Sequence, residues 1–476
     1  MSNNYEYAGQ FICDKVMLFA SSGAAINVTK LVTSLNLYED LFKSCITGDI
    51  TIVDTNNVIM EAPVIGQEFL GFKISTPGLD DFALDYSTHV FTINKINSRT
   101  SPRPGAMVYS LSFCSPEGLR NERTRVSKSY ADSVDGIVED VLSSAQYINT
   151  KKTLFIEETK GIKKMVVPYL HPHKLIHQLK QEALSKKHDS PHYMFYENTL
   201  GIHFRTLDSM YAQQSISDFN AGEMGGKISI TQELERVLRF QIVGSNDMLT
   251  NTAMGMLSSN IITHDIYRKE YRAKSFDYID DFHENHRVNY DDDNKDNPIY
   301  NTGPIDEFDN QISDFAGASR YVHPTSTIIN NSDAQHYAED NSAVFRKGNN
   351  SASYNNPYTA NDIPKTIMSR KSKLAELTQG VSVLISVYGT TQLNVGSIVN
   401  FSVPVSGAKH SGEKSDIYLS GRFLIKSLRH MFDFVEKKHT CAMTLVKDSI
   451  NSELPLDDLA IEPKAESRGI ISEFYS

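Results

Sequence analysis

The sequence predicts an α+β protein that is mainly β, in which two similar β units flank an α+β unit. Three observations lead to this prediction. Short runs of alternating apolar and polar residues, broken by Gly, Pro, Asn and Asp every ~10–15 residues, indicate a sandwich or small barrel. Residues 131–145 instead have the spacing of a helix. One long hairpin pattern occurs twice, at 90–117 and at 422–448.

The two hairpin patterns align without a gap. The matched pairs, each separated by 332 positions, are Phe91–Phe423, Ile93–Ile425, Ile96–Leu428, Tyr109–Cys441, Leu111–Met443 and Phe113–Leu445. A second match precedes each hairpin, because "PVIGQEFLGFKIST" (63–76) is similar to "LNVGSIVNFSVPV" (393–405) at an offset of 330. Two matched elements in the same order predict an internal duplication.

Changes in composition along the chain give the expected domain boundaries. The segments are 1–118, the first β unit; 119–225, the α+β domain; 226–274, the first part of the second β unit; 275–366, a polar insertion; 367–450, the rest of the second β unit; and 451–476, a C-terminal tail. The insertion is rich in Asn and Asp, and we expect it to be peripheral, as long connections usually are.

The α+β domain is predicted from three patterns. Val134, Ile137, Val138, Val141 and Leu142 form one helix face, which begins after Asp132 or Ser133 as N-cap. A second helix follows in 171–184, with Pro172 in its first turn. Residues 193–204 are typical of a hairpin that turns through 198–201.

The net charge of −11, from 47 basic and 58 acidic residues, argues against a surface that grips nucleic-acid phosphates. A negative wall would still let DNA slide past.

The four scattered cysteines, Cys13, Cys45, Cys114 and Cys441, are interpreted as reduced thiols. The first twenty residues do not fit a signal peptide, and no apolar run has the length of a membrane span, so we expect folding in a cytoplasm.

No motif for catalysis or for metal or phosphate binding is matched completely. His173 and His177 have the i, i+4 spacing of metal ligands, and His171 lies nearby, but the Glu of H-E-x-x-H is absent. The glycine-rich stretch 221–229 does not match a phosphate loop, and the acidic stretch 291–297 does not match a calcium loop. Glu39 and Asp40 are adjacent, so on a strand they point to opposite faces. We assign no catalytic, cofactor-binding or metal-binding residue, expect no cofactor, and predict that the protein is not an enzyme.

The order of several motifs resembles baseplate hub proteins of contractile-tailed bacteriophages. The resemblance starts in "SLNLYEDLFKSCITGDITIVD" and the "P-I-x-G-x-E" step at 63–68, where Val64 is an insertion. It continues through "YSLSFCSPEGLRNERTRVSKSY" and "PYLHPHKLIHQLKQEAL", and ends in "YLSGRFLIKSLRH". It covers most of 30–270 and 367–448, while 275–365 has no counterpart.

The resemblance implies two tube-type β-barrels per chain, joined by the α+β domain, and a homotrimer that forms a ring of six barrels. Such a ring adapts a three-fold central spike to a six-fold tail tube and lets DNA pass without specific binding. The implied partners are the spike protein and tail tube or tube-initiator proteins, with baseplate wedge proteins as further candidates. The implied location is the tail baseplate of the virion, and the family is also similar to the hub portion of type VI secretion spikes.

Two alternatives remain at this point. The chain could be a tail-associated peptidoglycan-degrading enzyme whose site lies in 119–225 or 275–365. It could also be the hub of a type VI-like secretion system.

Overall fold

A computed structural model gives a mainly β chain, built around one large and mostly antiparallel sheet. The structure describes residues 6–20, 23–55, 64–103, 105–222, 229–244, 247–265, 270–284, 286–289, 297–300, 311–313, 319–325, 363–404, 415–416 and 418–450. All four cysteines are free thiols, as the sequence predicts. Within the described part of the chain, no helix is both long and apolar enough to span a membrane.

The first half of the large sheet is formed by eight strands. They are β1 Ile12–Phe19, β2 Ala25–Asn27, β3 Val32–Asp40, β4 Thr47–Asp54, β5 Phe69–Ser75, β6 Leu84–Asp85, β7 Phe91–Arg103 and β8 Ala106–Cys114. The main strands lie in the order β3-β4-β8-β7-β5-β1, and each neighbouring pair is antiparallel. Alternate side chains of all six strands point into one shared apolar core.

The α+β unit follows, with its own apolar core. Its elements are α1 Pro116–Arg123, β9 Ser129–Asp132, α2 Val134–Ser143, β10 Leu154–Ile156, β11 Lys163–Val166, α3 Pro172–Glu182, β12 Tyr193–Asn198, β13 Gly201–Thr206 and α4 Leu207–Tyr211. Both predicted helices and the predicted hairpin are confirmed. Ser133 is the N-cap of α2, since its hydroxyl accepts the Gly136 N–H at 3.3 Å.

The rest of the chain supplies the second half of the sheet and a smaller sheet. Its elements are β14 Ser215–Asn220, α5 Ile230–Leu234, β15 Val237–Gly244, α6 Met248–Ala253, β16 Ser258–Asp265, β17 Glu270–Asp277, β18 Ser319–Thr325, α7 Ile363–Gln379, β19 Val381–Tyr388, β20 Ile398–Ser402, β21 Gly421–Asp433 and β22 Lys438–Lys447. In the large sheet the order is β15-β19-β22-β21-β20-β14.

The two halves have the same strand order. If the six main strands of each half are numbered along the chain, both halves read 2-3-6-5-4-1 in space. One difference is the direction of the first strand: β1 is antiparallel to β5, whereas β14 is parallel to β20. The halves are joined because β21 also pairs with β3, which makes the sheet continuous. The hydrogen-bonded path does not close into a separate ring in either half of the described sheet.

The structure differs from the expected domain boundaries in two places. Strands β16 and β17, expected in the second β unit, form a separate three-stranded sheet with β18. Strand β14, expected in the α+β domain, pairs with β20. Alternating polarity identifies a strand but does not say which sheet it joins, and the polar sequence of β14 gives little signal.

The described pieces of the polar insertion are not all peripheral. Val288 and Ile299 belong to the core of the second half, and Tyr278 and Phe282 to the core beside α7. Arg287 is buried and donates to both carboxylate oxygens of Glu376 at 2.8–2.9 Å. A polar composition therefore conceals short apolar anchors. Most of the insertion, including 326–362, lies outside the described residues.

One cross-strand pair shows how the two cores differ. Gly48 lies opposite Phe113, and at the equivalent place Val383 lies opposite Leu445. A Cβ on Gly48 would lie 2.2 Å from the Phe113 ring and 2.5 Å from the Asn36 carbonyl oxygen. The large aromatic ring thus requires a glycine opposite it, whereas leucine leaves room for valine.

We expect Gly48→Ala to lower the free energy of unfolding by about 1–3 kcal/mol, because the added methyl overpacks a rigid site. Gly118→Ala is the matched control: it lies in α1, and its nearest contact would be the Cys45 Sγ at 3.3 Å. Urea denaturation of both variants measures the difference. Equal stabilities of the two variants would contradict this account of the core.

Candidate functional site

The two long hairpins coincide residue by residue from Thr92 and Leu424 to Ile96 and Leu428. The equivalent cross-strand pairs are Ile93–Phe113 and Ile425–Leu445, Lys95–Ser112 and Ser427–Thr444, and Ile96–Leu111 and Leu428–Met443. Both first strands have a register shift at the same place, at Asn94 and Lys426. The predicted overlay of the hairpins is confirmed as far as Ile96 and Leu428, and it includes this irregularity, which sequence alone does not show. Beyond that point β7 has two further register shifts, after Ile96 and after Thr100, that β21 lacks.

The step before each hairpin is equivalent as well. Gly66 and Gly396 both have left-handed backbones, with φ of 91° and 85°. Such a conformation is easy for glycine and costly for other residues. The N–H of Ile93 bonds the carbonyl of Glu68, and the N–H of Ile425 that of Ser397, both at 2.9 Å. The strands that follow the glycines therefore align at an offset of 329, one less than the offset expected from sequence.

Strands β3 and β15 are equivalent as well, which the sequence does not indicate. Val32, Ser34, Leu35 and Leu37 on β3 correspond to Val237, Arg239, Phe240 and Ile242 on β15, at a constant offset of 205. The register shift after Val32 recurs after Val237. The two strands share little beyond their apolar character, so sequence alignment gives no strong signal here.

Within the chain, the second hairpin covers β3. Residues 427–433 of β21 pair antiparallel with residues 34–40, so that His430 lies opposite Leu37 and Phe432 opposite Leu35. The pairing is extended by the Leu41 N–H to the Lys426 carbonyl at 2.9 Å. Arg429 adds bonds to the Asn36 side chain at 3.1–3.3 Å. Leu35 and Leu37 are completely buried in the core of the first half, which Phe432 of β21 joins.

The equivalent contact for the first hairpin and β15 is not made within the chain. Phe240 and Ile242 are 41% and 47% exposed, whereas their counterparts Leu35 and Leu37 are 0% exposed. Ile96 on β7 is 37% exposed, whereas its counterpart Leu428 is 2% exposed. In the described sheet, β15 is an edge strand, and β7 pairs with β5 only at residues 91–92. Two strand edges are therefore open on one chain, an apolar one on β15 and a largely polar one on β7 that includes Ile96.

A buried ion cluster fixes the first half to the α+β unit. Lys152 Nζ contacts Glu117 Oε2 at 2.8 Å and also Glu197. Glu197 further accepts the Ile46 N–H at 3.0 Å and the Ser115 hydroxyl at 2.9 Å. Burial alone would raise the pKa of both carboxyls. In Glu117 the attraction of Lys152 outweighs burial, so its pKa lies below the usual value. In Glu197 burial outweighs the attraction of Lys152, so its pKa lies above the usual value.

The three histidines considered as possible metal ligands do not point to a common site. His177 Nε2 contacts the Ser44 hydroxyl at 2.9 Å, and His171 Nδ1 contacts the Asn121 carbonyl at 2.8 Å. His173 packs against Phe195 in the interior. Burial lowers the pKa of His173 and His177 to about 4, so both rings are neutral at pH 7. They act as packing and hydrogen-bonding groups between α3 and the first half.

The Glu39–Asp40 pair has a structural role, and most of the glycine-rich and acidic stretches lies outside the described residues. Glu39 is buried and accepts the N–H groups of Thr199 and Val395 at 3.2 and 2.9 Å, while Asp40 accepts that of Phe42. Burial raises the pKa of Glu39 to about 8. Residues 223–228 of the glycine-rich stretch and 291–296 of the acidic stretch are not described.

One array has triad-like distances. His192 Nε2 lies 2.9 Å from Ser369 Oγ, and His192 Nδ1 lies 3.1 Å from Asp208 Oδ2. All three residues are buried, and Ser369 lies inside helix α7. They line neither the cavity beside Phe42 nor the cavity beside Met17. A nucleophile without access for a substrate cannot act, so the array serves to hold α7 against the α+β unit.

Comparisons with solved structures find weak similarity over most of the chain. The tail protein from Neisseria meningitidis MC58 has a TM-score of 0.49 and 9% identity, covering 92% of this chain and 97% of that one. The 43 kDa tail protein of prophage MuSo2 from Shewanella oneidensis has a TM-score of 0.49 and 8% identity, covering 91% and 98%. The E. coli c3393 protein, a component of the type VI secretion system, has a TM-score of 0.40 and 9% identity, covering 87% and 73%. No protein-family model and no curated protein matches the sequence.

Proposed function

We propose that this chain is a structural subunit of a contractile tail, the baseplate hub, and that three copies form a ring of six similar β units. The ring would adapt a three-fold central spike to a six-fold tail tube and let DNA pass. It has no catalytic role. The observation that carries this proposal is the pair of open edges, each the counterpart of an edge that is paired inside the chain.

The open edges fit each other in a definite register. Arg99 lies opposite Tyr109 on the first hairpin, as His430 lies opposite Cys441 on the second. Transferring the contact between β21 and β3 through these matched pairs places Arg99 of one copy opposite Ile242 of the next and Thr100 opposite Gln241. The contact is head-to-tail, because one copy supplies β7 and the other supplies β15. Repeated contacts of this kind generate a ring if the rotation closes.

Each half is proposed to act as one barrel-like unit of the ring. Six strands surround one apolar core in the first half, and six surround another in the second. A single sheet can bury one face around one core only if it curls. Pairing the units edge to edge removes the exposed strand edges that would otherwise promote aggregation.

The number three and the partners come from the motif order that resembles baseplate hub proteins. Two units per chain make six units from three chains, which matches a three-fold spike on one side and a six-fold tube on the other. The spike protein and the tube or tube-initiator proteins are thus the proposed partners, in the tail of a virion. The charge of −11 is compatible with a lumen that repels DNA.

Native mass measurement of the full chain together with its spike partner tests the proposal. Three copies of this chain are expected, with an inter-chain contact larger than the ~1,000 Å² typical of a biological interface. One, two or six copies in the assembled particle would overturn the adaptor role.

The triad-like array of Ser369, His192 and Asp208 motivates a test of the enzyme alternative. We expect the purified chain to leave peptidoglycan intact in a zymogram, because the serine is buried. Clearing that is lost in Ser369→Ala would instead support a peptidoglycan-degrading enzyme. A secretion-system hub would be distinguished by the neighbouring genes.

A further inference from the structure

A buried cluster on the second hairpin brings together two imidazoles and one thiol. His430 on β21 lies directly opposite Cys441 on β22, and His439 lies two residues before Cys441 on the same face. All three side chains have no exposure to solvent. On the first hairpin Arg99 lies opposite Tyr109, and Met107 lies two residues before Tyr109, so the cluster is specific to the second hairpin.

The three inner atoms form a nearly equilateral triangle. His430 Nδ1 lies 3.1 Å from His439 Nε2, and Cys441 Sγ lies 3.3 Å from the former and 3.4 Å from the latter. Ligands of tetrahedral zinc, with Zn–N near 2.0 Å and Zn–S near 2.3 Å, lie about 3.3–3.6 Å apart. The triangle is slightly tighter, and an ion just above its plane would be within bonding distance of all three atoms.

The proton arrangement of the metal-free cluster is unfavourable. The outer nitrogens, His430 Nε2 and His439 Nδ1, are buried and have no hydrogen-bond partner among the described residues. With both outer nitrogens protonated, the inner nitrogens present two lone pairs to each other at 3.1 Å. The single thiol proton can satisfy one of them. A cation between them would satisfy both.

The surroundings hold the rings in place. The Phe432 ring stacks on His439 at 4.1 Å between centroids. A Cβ on Gly389 would lie 2.4 Å from the His439 ring, so the backbone after β19 closes over that ring.

We propose that His430, His439 and Cys441 bind one borderline or soft transition-metal ion, Zn²⁺ or Cu⁺, inside the second hairpin. Imidazole and thiolate are the donors these ions prefer. Binding deprotonates the Cys441 thiol, and the released proton passes to solvent. The ion would fix the part of the hairpin that pairs with β3, because His430 lies opposite Leu37. This site is independent of the proposed ring.

The test is metal analysis of the full-length chain produced with Zn²⁺ and, separately, with copper under reducing conditions. We expect close to one ion per chain after gel filtration, from at least one of the two metals. Cys441→Ser should lower this content at least about tenfold, while Cys114→Ser, which changes a thiol outside the cluster, should retain it.

A measurement on the wild-type protein keeps the proposal falsifiable if the Cys441 variant does not fold. X-ray absorption at the metal edge should show one sulfur and two imidazole nitrogens in the first shell. A wild-type chain that holds neither metal would overturn the proposal. So would a bound ion without a sulfur neighbour, or equal metal content in a folded Cys441→Ser variant.

Discussion

Ile242→Lys is expected to abolish assembly of the chain while leaving the single chain folded. Ile242 is 47% exposed, so the substitution costs little in the isolated chain. In the proposed ring the same position is paired with β7 of the neighbouring copy, where a buried, unpaired ammonium group is strongly unfavourable. Charged residues on an edge strand also block the addition of another strand. We expect association to weaken at least about 100-fold, which corresponds to about 2.7 kcal/mol per contact.

Sedimentation of the full-length chain, alone and with its spike partner, measures this effect. Val166→Lys is the matched control: Val166 is 75% exposed on β11, away from both open edges. Circular dichroism should report the same folded state for both variants. If Ile242→Lys assembles as the wild type does, the β15 edge is not an interface.

Lys152→Met is expected to lower the free energy of unfolding by about 3–5 kcal/mol at neutral pH. Lys152 is 8% exposed and lies between Glu117 and Glu197, which are 4% and 1% exposed. Without the ammonium group, two buried carboxylates face each other with no cation between them. Their remaining partners, such as the Thr150 hydroxyl on Glu117 at 2.7 Å, donate hydrogen bonds but carry no charge.

The pH dependence of this loss has a definite sign. In the wild type the pKa of Glu117 is lowered by Lys152, so its stabilisation is present above the unfolded-state pKa and is lost as the pH falls through the folded-state pKa. In the variant both carboxyls favour the protonated form in the folded state. The difference between wild type and variant should therefore be largest near pH 7 and shrink toward pH 4.5.

Urea denaturation across this pH range checks the prediction. Lys160→Met is the control, because the Lys160–Asp189 pair at 2.7 Å is partly exposed and such pairs contribute about 0–1 kcal/mol. A loss for Lys152→Met as small as that of the control would show that the cluster does not fix the first half to the α+β unit.

The duplication was predictable where side chains repeat at a constant spacing. The two hairpins have gap-free matches at 332 because both fill similar cores, and the glycines at 66 and 396 repeat because both need a left-handed backbone. The equivalence of β3 and β15 was not predictable. Pairing requires only apolar side chains at alternate positions, so Leu35 and Phe240 serve equally.

The side-chain clusters were beyond sequence analysis for a different reason. His192 and Ser369 are 177 positions apart and meet only because α7 packs on the α+β unit. His430, His439 and Cys441 are close in sequence, but their convergence depends on the hairpin register, which places His430 opposite Cys441. A one-residue slip would send them to opposite faces of the sheet.

The open edges themselves could be recognised only from the structure. The sequence of β15 is as apolar as that of a buried strand, and nothing in it says that the partner strand is missing from the same chain. The contrast between Ile242 and its counterpart Leu37 supplies that information.

Disulfide cross-linking of the double variant Arg99→Cys/Ile242→Cys tests the central claim most directly. Arg99 lies opposite Tyr109 as His430 lies opposite Cys441, so Arg99 and Ile242 are the counterparts of His430 and Leu37, which lie opposite each other across the contact inside the chain. Under mild oxidation we expect a ladder of linked chains on a non-reducing gel that ends at three, because a closed ring has no free end. Arg99→Cys/Gln241→Cys should link poorly, since neighbouring residues on a strand point to opposite faces. An absence of inter-chain links, equal linking by the control pair, or a ladder that continues past three would contradict the ring of six units.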